Sequence, residues 1–333
     1  LIGLVDADLL NGGTRHPNLV LLKLAGFLTD NAIPFRLIID KDENIMEYTT
    51  IYMSKVFSFT PDPPFYEKVK KTPNENKFKI GGTGDYAIKK DIKDFKSSRT
   101  RDMNQLENDI FLNNYPNKRG GKKKWGIDMC RQMPYYHLYD EYIQSKIKAG
   151  RKKSYFNDYL YYSIGFLTRG CIRHCPFCVN KLENKVYRYS ELEWFLDDER
   201  NEKGDLIRPY IYLWDDNFLA APKEIWQPML QSLIDSKRPF QFRQGLDERI
   251  LAESEDGEEI AQMLSKCKYH GDFIFAFDNW RDRDKIIKAL KIWKRHNSKR
   301  GTKFYLFCGY TLKSGEDEKL YNDIKILFER IKI

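Results

Sequence analysis

Apolar and polar positions alternate along the first part of the chain in a pattern that predicts strands, loops and one helix. Strand-length apolar runs occur at residues 1–6, 35–39, 50–54 and 77–80. After the first of these runs, apolar side chains at residues 17–28 repeat at helical spacing, and Pro17 stands where a first helical turn tolerates proline. The last run opens onto the glycine-rich sequence 81–84. This alternation predicts a small, open, mostly parallel sheet with ligand-accepting loops at its strand ends.

From about residue 158 onward, strand and helix patterns alternate five times. The strand-like runs are residues 161–167, 209–214, 240–244, 273–277 and 304–307. The helix-like stretches are residues 190–199, 223–236, 257–265, 282–295 and 316–331. A helix after each strand returns the chain to begin the next strand in the same direction, so the pattern predicts a parallel sheet. Five such units fit a partial (β/α)6-type barrel, which lacks one strand of the full form.

The predicted fold class is therefore α/β, and the chain divides into three segments. A Rossmann-like parallel-sheet domain occupies residues 1–125, and the partial barrel occupies residues 158–333. Residues 126–157 form a linker that is rich in basic and aromatic side chains.

Composition and charge exclude some classes of protein, but they do not identify a binding partner. The chain has 333 residues, of which 41% are hydrophobic, and this excludes disorder of the whole chain. It has no run of about 18 apolar residues, so we expect no membrane partner and a cytoplasmic location. The net charge of +9, with basic runs at 118–124 and 151–153, suggests an anionic substrate or a nucleic acid. Solvated loops and helix ends explain the same runs, because acidic runs such as 197–199 are also present.

Three of the six cysteines, Cys171, Cys175 and Cys178, lie within eight residues, directly after the first strand of the second region. Such crowding is typical of metal ligation rather than of disulfides, which a chain able to build its own core does not need. Three thiolates can bind three irons of a cubane cluster and leave the fourth iron without a protein ligand. A structural zinc site is the alternative, and it needs a fourth ligand such as His174.

The spacing C-x3-C-x2-C, with Phe177 before the last cysteine, resembles the signature of the radical S-adenosylmethionine (SAM) superfamily. The resemblance covers about residues 158–333. It implies that the three cysteines bind a [4Fe–4S] cluster, and that an electron donor such as flavodoxin or ferredoxin reduces this cluster. In that superfamily the open iron binds SAM, and the reduced cluster cleaves it to a 5′-deoxyadenosyl radical that removes hydrogen from the substrate. Methylation, methylthiolation and rearrangement are the reaction types that the resemblance implies.

The same resemblance implies a SAM-binding role for polar residues that close the predicted strands, and for the aromatic residue of the cysteine motif. The candidate cofactor-binding residues are Phe177, Asp215, Asp216, Gln244, Asp247 and Asp278. A carboxylate can pair with the SAM ammonium group or bridge its ribose hydroxyls, although Asp and Asn are also common at helix caps and turns. Arg243 and Arg249 are candidates for the SAM carboxylate or for an anionic substrate. Cys308, after the fifth predicted strand, is a candidate hydrogen-atom donor or second ligand by the same resemblance, and a packed cysteine is the alternative.

A Rossmann-like domain ahead of the barrel resembles the subgroup of the superfamily that carries a cobalamin-binding domain. The glycine-rich sequence 81–84 is similar to the glycine turn of that domain. The motif D-x-H-x-x-G, which places a histidine beneath cobalt, is absent, since the histidine nearest to Asp6 and Asp8 is His16. Cobalamin is therefore a candidate third cofactor, and a domain that contributes only packing or substrate contacts is the alternative.

Two functions of different class follow from these observations. The leading one is an enzyme that performs radical chemistry with SAM. The alternative is a nucleic-acid-binding module in which the cluster or a zinc ion is structural. Three thiolates without a fourth ligand favour the enzyme.

Overall fold

A computed structural model of the chain describes residues 1–82, 129–175, 177, 178, 180, 184–307 and 317–331. The chain forms two compact units. Unit 1 comprises Leu1–Tyr162 and Glu193–Arg208, and unit 2 comprises Ser163–Leu192 and Pro209–Ile333. Both units combine helices with parallel strands, which confirms the predicted α/β class.

Unit 1 contains a parallel sheet of four strands. They are β1 (Ile2–Asp6), β2 (Phe35–Leu37), β3 (Thr50–Ser54) and β4 (Phe78–Gly81). Their order is β2-β1-β3-β4, and Ile2 is in register with Phe35 on one side and with Thr50 on the other. The chain therefore moves first to one side of β1 and then to the other. Sheets of this kind accept ligands where the order reverses, at the carboxyl ends of β1 and β3.

Short helices connect and cover this sheet. They are α1 (Ala7–Leu10), α2 (Leu19–Asp30), α3 (Pro64–Glu67), α4 (Asp140–Lys148) and α5 (Asn157–Tyr161). Helix α2 begins after Asn18, whose side chain accepts a hydrogen bond from the backbone of Leu21 (3.3 Å). Val5, Ile51 and Met53 of the central strands belong to the buried apolar cluster beside the sheet.

The segment predicted as a basic and aromatic linker contributes packed structure to unit 1 from residue 129 onward. Tyr139 and Tyr142 are buried, and the phenol of Tyr139 donates a hydrogen bond to Asp6 at the end of β1 (2.8 Å). Tyr139 of this segment therefore binds the carboxyl end of β1. The division into functional domains at residues 125 and 157 stays a prediction.

The remaining strands follow in chain order. They are β5 (Tyr162–Gly165), β6 (Thr168–Gly170), β7 (Val186–Arg188), β8 (Tyr210–Leu213), β9 (Phe240–Phe242), β10 (Phe273–Ala276) and β11 (Thr302–Tyr305). Strands β5, β8 and β9 form one sheet in that order, and β10 pairs in parallel with β11. Isolated parallel bridges join Phe240 to Tyr269 and Leu246 to Phe275. The five strands predicted for this region are all present.

The helices of unit 2 are α6 (Lys223–Asp235), α7 (Arg249–Glu253), α8 (Gly257–Lys266), α9 (Arg283–Asn297) and α10 (Asp317–Ile331). The helix predicted at residues 190–199 was wrong, because only a short 3₁₀ helix forms there. From Glu193 the chain belongs to unit 1, where Phe195 is buried and its carbonyl oxygen accepts a hydrogen bond from Tyr136 (2.7 Å). The segment is therefore held by packing within unit 1 rather than by the hydrogen bonds of a helix.

Short 3₁₀ helices lie at Ile45–Glu47, Pro73–Lys77, Lys153–Phe156, Leu192–Trp194, Phe218–Ala220 and Trp280–Asp282. None of the helices in the described residues combines the length and apolar character required to cross a membrane.

Candidate functional site

The three clustered cysteines lie on the connection between two short antiparallel strands of unit 2. Strand β6 ends at Gly170, which is in register with Val186 at the start of β7. Gly170 has a φ of +92°, and a Cβ at this position would run into the carbonyl oxygen of Lys185. Glycine satisfies both constraints, so the backbone fixes the residue that comes directly before Cys171. The sequence predicted this cysteine loop but not the antiparallel pair that carries it.

Asp216 binds both ends of the cysteine loop. Its Oδ2 accepts a hydrogen bond from the backbone N–H of Gly170 (3.0 Å), and its Oδ1 accepts one from the side-chain amide of Asn180 (2.8 Å). The guanidinium of Arg169 lies 3.4 Å from the same Oδ2. Because Asp216 follows β8, a strand end of the main sheet fixes the position of the loop. Hydrogen bonds to a charged group contribute about 1.5–3 kcal/mol each.

Backbone N–H groups point at two of the three sulfurs. The N–H of Arg173 lies 3.3 Å from Sγ of Cys171, and the N–H of Asn180 lies 3.4 Å from Sγ of Cys178. Donors to sulfur favour the thiolate, which is the form that binds soft metals. All three cysteines are half-buried and free of disulfides. In the part of the chain that the structure describes, no three His, Cys, Asp or Glu side chains form a group that could hold a metal ion.

Asn217 joins the cysteine loop to a second strand end. Its buried Nδ2 lies 3.4 Å from Sγ of Cys171 and 3.1 Å from Oδ2 of Asp247. Its Oδ1 is buried and accepts no hydrogen bond from any described residue. A buried amide oxygen without a hydrogen-bond donor lowers the free energy of unfolding by about 1–3 kcal/mol. The contacts of Nδ2 with Cys171 and Asp247 must offset this loss.

Asp247 lies between two arginines. Its Oδ2 accepts a hydrogen bond from Nε of Arg173 (2.7 Å), and its Oδ1 accepts one from Nε of Arg249 (2.6 Å). Arg173 also reaches Glu253 (2.5 Å), and Arg249 also reaches Asp282 (2.7 Å). Burial alone would raise the pKa of Asp247, but the two arginines outweigh burial and hold this pKa below its ordinary value. Asp247 is thus a charged group that ties the cysteine loop, through Arg173, to the end of β9.

Cys175 lies within electrostatic reach of the other cysteines and of two charged side chains. Burial raises the pKa of its thiol, Arg249 opposes that rise, and the sulfurs of Cys178 and Cys171 add to it. The carboxylate of Asp278, which follows β10, raises this pKa further. Charged groups that follow different strands therefore lie near enough to the middle cysteine of the loop to affect the pKa of its thiol.

An aromatic pair lies beside the cysteine loop. The rings of Phe177 and Phe307 stack with their centroids 4.3 Å apart, and Phe177 remains 36% exposed. The backbone N–H of Phe307 donates to Oδ1 of Asp278 (3.1 Å). Arg330 of α10 donates to the carbonyl oxygens of Phe277 (2.7 Å) and Phe307 (3.0 Å), and so binds the segments that follow β10 and β11.

The other predicted site residues lie in different environments. Asp215 is buried, and its carboxylate accepts hydrogen bonds from the backbone N–H groups of Leu167 (3.2 Å) and Thr168 (2.5 Å). Burial raises the pKa of Asp215 to about 7, against these hydrogen bonds. Gln244, by contrast, is exposed. Cys308 lies outside the described residues.

The two arginines predicted to bind an anion also lie in different surroundings. Arg249 belongs to the ion pairs of Asp247 and Asp282, whereas Arg243 lies over the ring of Tyr212 at 5.5 Å from its centroid.

Sequence reasoning missed several residues of this site, among them Arg173, Asn180, Asn217 and Glu248. Glu248 is fully buried, accepts a hydrogen bond from the backbone N–H of Ala276 (3.3 Å), and has a pKa that burial raises to about 8. Asn217 and Glu248 could have been found from their positions, because each stands directly after a predicted site residue in the sequence.

In unit 1, the residues considered for cobalamin lie at the carboxyl ends of β1 and β4. Gly82 has a φ of +107°, and a Cβ there would run into the carbonyl oxygen of Lys55; residues 83–84 lie outside the described part. His16 forms an ion pair with Asp158. Gly82 therefore has a backbone that requires glycine, whereas the histidine nearest to the β1 loop is engaged within the chain.

Comparisons with known proteins supply no relative from which to infer a function. No protein-family model, no curated protein and no solved structure matches the chain. The function must therefore be inferred from the geometry and chemistry of the cysteine loop.

Proposed function

We propose that this chain is a radical SAM enzyme in which Cys171, Cys175 and Cys178 ligate a [4Fe–4S] cluster. The observation that carries the proposal is a loop with three thiols, of which two receive backbone N–H donors, bound to the ends of β8 and β9 through Asp216 and Asn217.

The donor set fits an iron–sulfur cluster on chemical grounds. Cubane clusters take thiolate ligands, and hydrogen bonds from N–H groups to those sulfurs stabilise the negative charge that a bound cluster carries. Arg249 places a positive charge near Cys175, where it offsets part of that charge. When bound, the cluster supplies the electron that cleaves SAM to a 5′-deoxyadenosyl radical.

The strand order also supports the proposal. Strands β5, β8 and β9 follow one another in one sheet, and the bridge between Leu246 and Phe275 extends the parallel pairing toward β10 and β11. Successive parallel strands bring their carboxyl ends to one edge, which is where barrel enzymes carry out their chemistry. We therefore favour a partial barrel with the cysteine loop at this edge.

The predicted SAM-binding residues divide into two roles under this proposal. Asp216 and Asp247 already accept hydrogen bonds on both carboxylate oxygens, so they act as positioning residues for the cysteine loop. Phe177, Asp278 and Gln244 are the side chains we assign to SAM. The exposed ring of Phe177 can stack on adenine, and a carboxylate or amide at a strand end can accept from ammonium or hydroxyl groups.

Two further components complete the proposal. A one-electron donor of the flavodoxin or ferredoxin class must reduce the cluster before SAM is cleaved. Cobalamin binding by unit 1 stays a prediction, and reconstitution with cobalamin followed by measurement of bound cobalt tests it.

Anaerobic reconstitution with iron and sulfide, followed by metal analysis, tests the ligand assignment. We expect about four irons per chain and no zinc. Cys171→Ala, Cys175→Ala and Cys178→Ala should each lose the cluster, because a cubane held by two thiolates is labile. Cys267→Ala, which changes a buried cysteine of unit 2, is the matched control and should retain it. Stoichiometric zinc without iron, or a full cluster in any of the first three variants, would contradict the assignment.

A further inference from the structure

Unit 1 carries a group of basic side chains that have no acidic partner among the described residues. This basic surface consists of Arg15, Lys146, Arg151 and Lys153, and the exposed Lys148 and Lys152 stand beside them in the sequence. No acidic residue occurs in the sequence between Glu141 and Asp158, or between Asp8 and Asp30. None of the six cations forms an ion pair with any described residue. The arginines of the cysteine site differ, since each of them is paired with carboxylates.

Aromatic rings hold four of these cations in place, three of them on Tyr155 and Tyr161. The guanidinium groups of Arg15 and Arg151 both lie over the ring of Tyr155, at 5.9 and 4.6 Å from its centroid. Lys153 lies 5.9 Å from the ring centroid of Tyr161. Cation–π contacts of this kind fix the direction of a side chain but leave its hydrogen-bond donors free for an anion.

The basic surface lies against the loop that follows β1 and α1. The phenol oxygens of Tyr142 and Tyr155 would lie 3.0 and 3.8 Å from a Cβ at Gly13, and Lys146 lies 5.4 Å from the ring centroid of Tyr142. The adjacent Gly12 has a φ of +138° and open space on the side where a Cβ would stand. An anion can therefore approach the backbone here, at the edge where parallel sheets accept phosphates.

A pair of exposed phenylalanines stands on the neighbouring loop, after β3. Phe57 and Phe59 stack with their centroids 5.2 Å apart, and they are 47% and 78% exposed. Asp8, which follows β1, holds this loop by accepting hydrogen bonds from the backbone N–H of Val56 (2.6 Å) and from the hydroxyl of Thr60. Since β1 and β3 are adjacent and parallel, the phenylalanine pair and the basic surface belong to the same edge of one sheet.

We propose that this edge of unit 1 binds single-stranded nucleic acid, with the basic surface on the phosphates and with Phe57 and Phe59 stacked on bases. The four cations that the aromatic rings hold carry more positive charge than a single phosphate group can balance, so the chemistry favours a polyanion. Unpaired bases stack on exposed aromatic rings, whereas the bases of a duplex are already stacked on one another. All residues of this surface lie in unit 1, and its binding does not depend on the proposed cluster.

Fluorescence anisotropy of the full chain with labelled single-stranded RNA and DNA of about 20 nucleotides tests the proposal. In the triple variant Arg15→Ala, Arg151→Ala, Lys153→Ala, we expect at least about tenfold weaker binding. The slope of log Kd against log salt should fall by about 2, because each lost contact to a single-strand phosphate removes about 0.7.

Two further variants separate a specific surface from general attraction to a basic protein. The control triple Lys266→Ala, Lys268→Ala, Lys291→Ala removes the same charge from exposed positions of unit 2 and should leave the affinity within about twofold. The double variant Phe57→Ser, Phe59→Ser should weaken binding about tenfold with an unchanged salt slope, because stacking releases no counterions.

Competition experiments identify the source of the anion. Unlabelled single strands should displace the probe, whereas duplex DNA, inorganic pyrophosphate and vesicles of anionic lipid should not. Displacement by pyrophosphate or vesicles as effective as by single strands, or equal losses in the two triple variants, would overturn the proposal. An unchanged circular dichroism spectrum establishes that each variant is folded. Because the readout is binding and not SAM cleavage, a negative result here leaves the proposed enzyme activity unaffected.

Discussion

Asn217 is the side chain that contacts both a proposed cluster ligand and the carboxylate network beside it. Its Nδ2 is shared between Sγ of Cys171 and Oδ2 of Asp247. Replacing it by leucine preserves the approximate volume and removes this donor. Since N–H donors to cluster thiolates stabilise the more negative, reduced state, we expect Asn217→Leu to lower the midpoint potential by on the order of tens of millivolts. A redox titration followed by electron paramagnetic resonance measures this shift.

Asn297→Leu is the matched control for this prediction. Asn297 is also buried, and its side-chain amide donates to the carbonyl oxygen of Ala261 (2.9 Å) within the helices of unit 2. This variant should lose about 1–3 kcal/mol of stability without a change in potential. If Asn217→Leu kept an intact cluster at the potential of the unmodified chain, the proposed contact to the cluster would be wrong.

The types of residue in the sequence predicted the cysteine loop, but they did not predict which side chains support it. Cysteine spacing singled out the loop, but the roles of Asp215 and Asp216 could not be separated from sequence. Successive side chains of an extended segment point to opposite sides. Two neighbouring aspartates can therefore bind different parts of the chain, one a buried turn and the other the cysteine loop. Asp215 binds the backbone at Thr168, and Asp216 binds it at Gly170.

At the scale of elements, the antiparallel pair β6–β7 determines where the cysteines lie. Each of these strands has three residues, so neither shows a hydrophobic period that a sequence could reveal. Their pairing joins residues on the two sides of the loop, and Asp216 from beyond β8 adds the contact that fixes it. The pattern of residues within a short segment does not reveal its contacts with distant parts of the chain. The sequence therefore predicted the cysteine loop but not the strand pairing and the Asp216 contacts that hold it.

Asp216→Ala tests the role of this support. Removing the carboxylate leaves the backbone N–H of Gly170 without its acceptor, and loses a bond of about 1.5–3 kcal/mol. We expect hydrogen exchange at the amide of Gly170 to become about 10- to 100-fold faster, with little change in α8 or α9. Asp235→Ala, at the end of α6, serves as the control. Unchanged exchange at Gly170 in Asp216→Ala would show that the hairpin is stable without this contact.

For the molecule as a whole, the sequence predicted the α/β class and the positions along the chain of nine of the eleven strands in the described residues, because their apolar runs recur with helix-like stretches between most of them. It did not predict that Glu193–Arg208 belongs with the first unit. That assignment depends on packing: Arg208 is buried and pairs with Asp197 (2.6 Å) and with the carbonyl oxygen of Tyr136 (3.2 Å). Contacts of this kind form only once the chain is folded.

If the cysteine loop holds a cluster that cleaves SAM, the reconstituted chain should form 5′-deoxyadenosine. The reconstituted chain is reduced with dithionite under anaerobic conditions, SAM is added, and the product is measured by mass spectrometry. We predict at least about one equivalent of 5′-deoxyadenosine per cluster from the unmodified chain, and none above background from Cys178→Ala. If a chain with about four reduced irons formed no more 5′-deoxyadenosine than Cys178→Ala, the proposed radical SAM activity would be wrong.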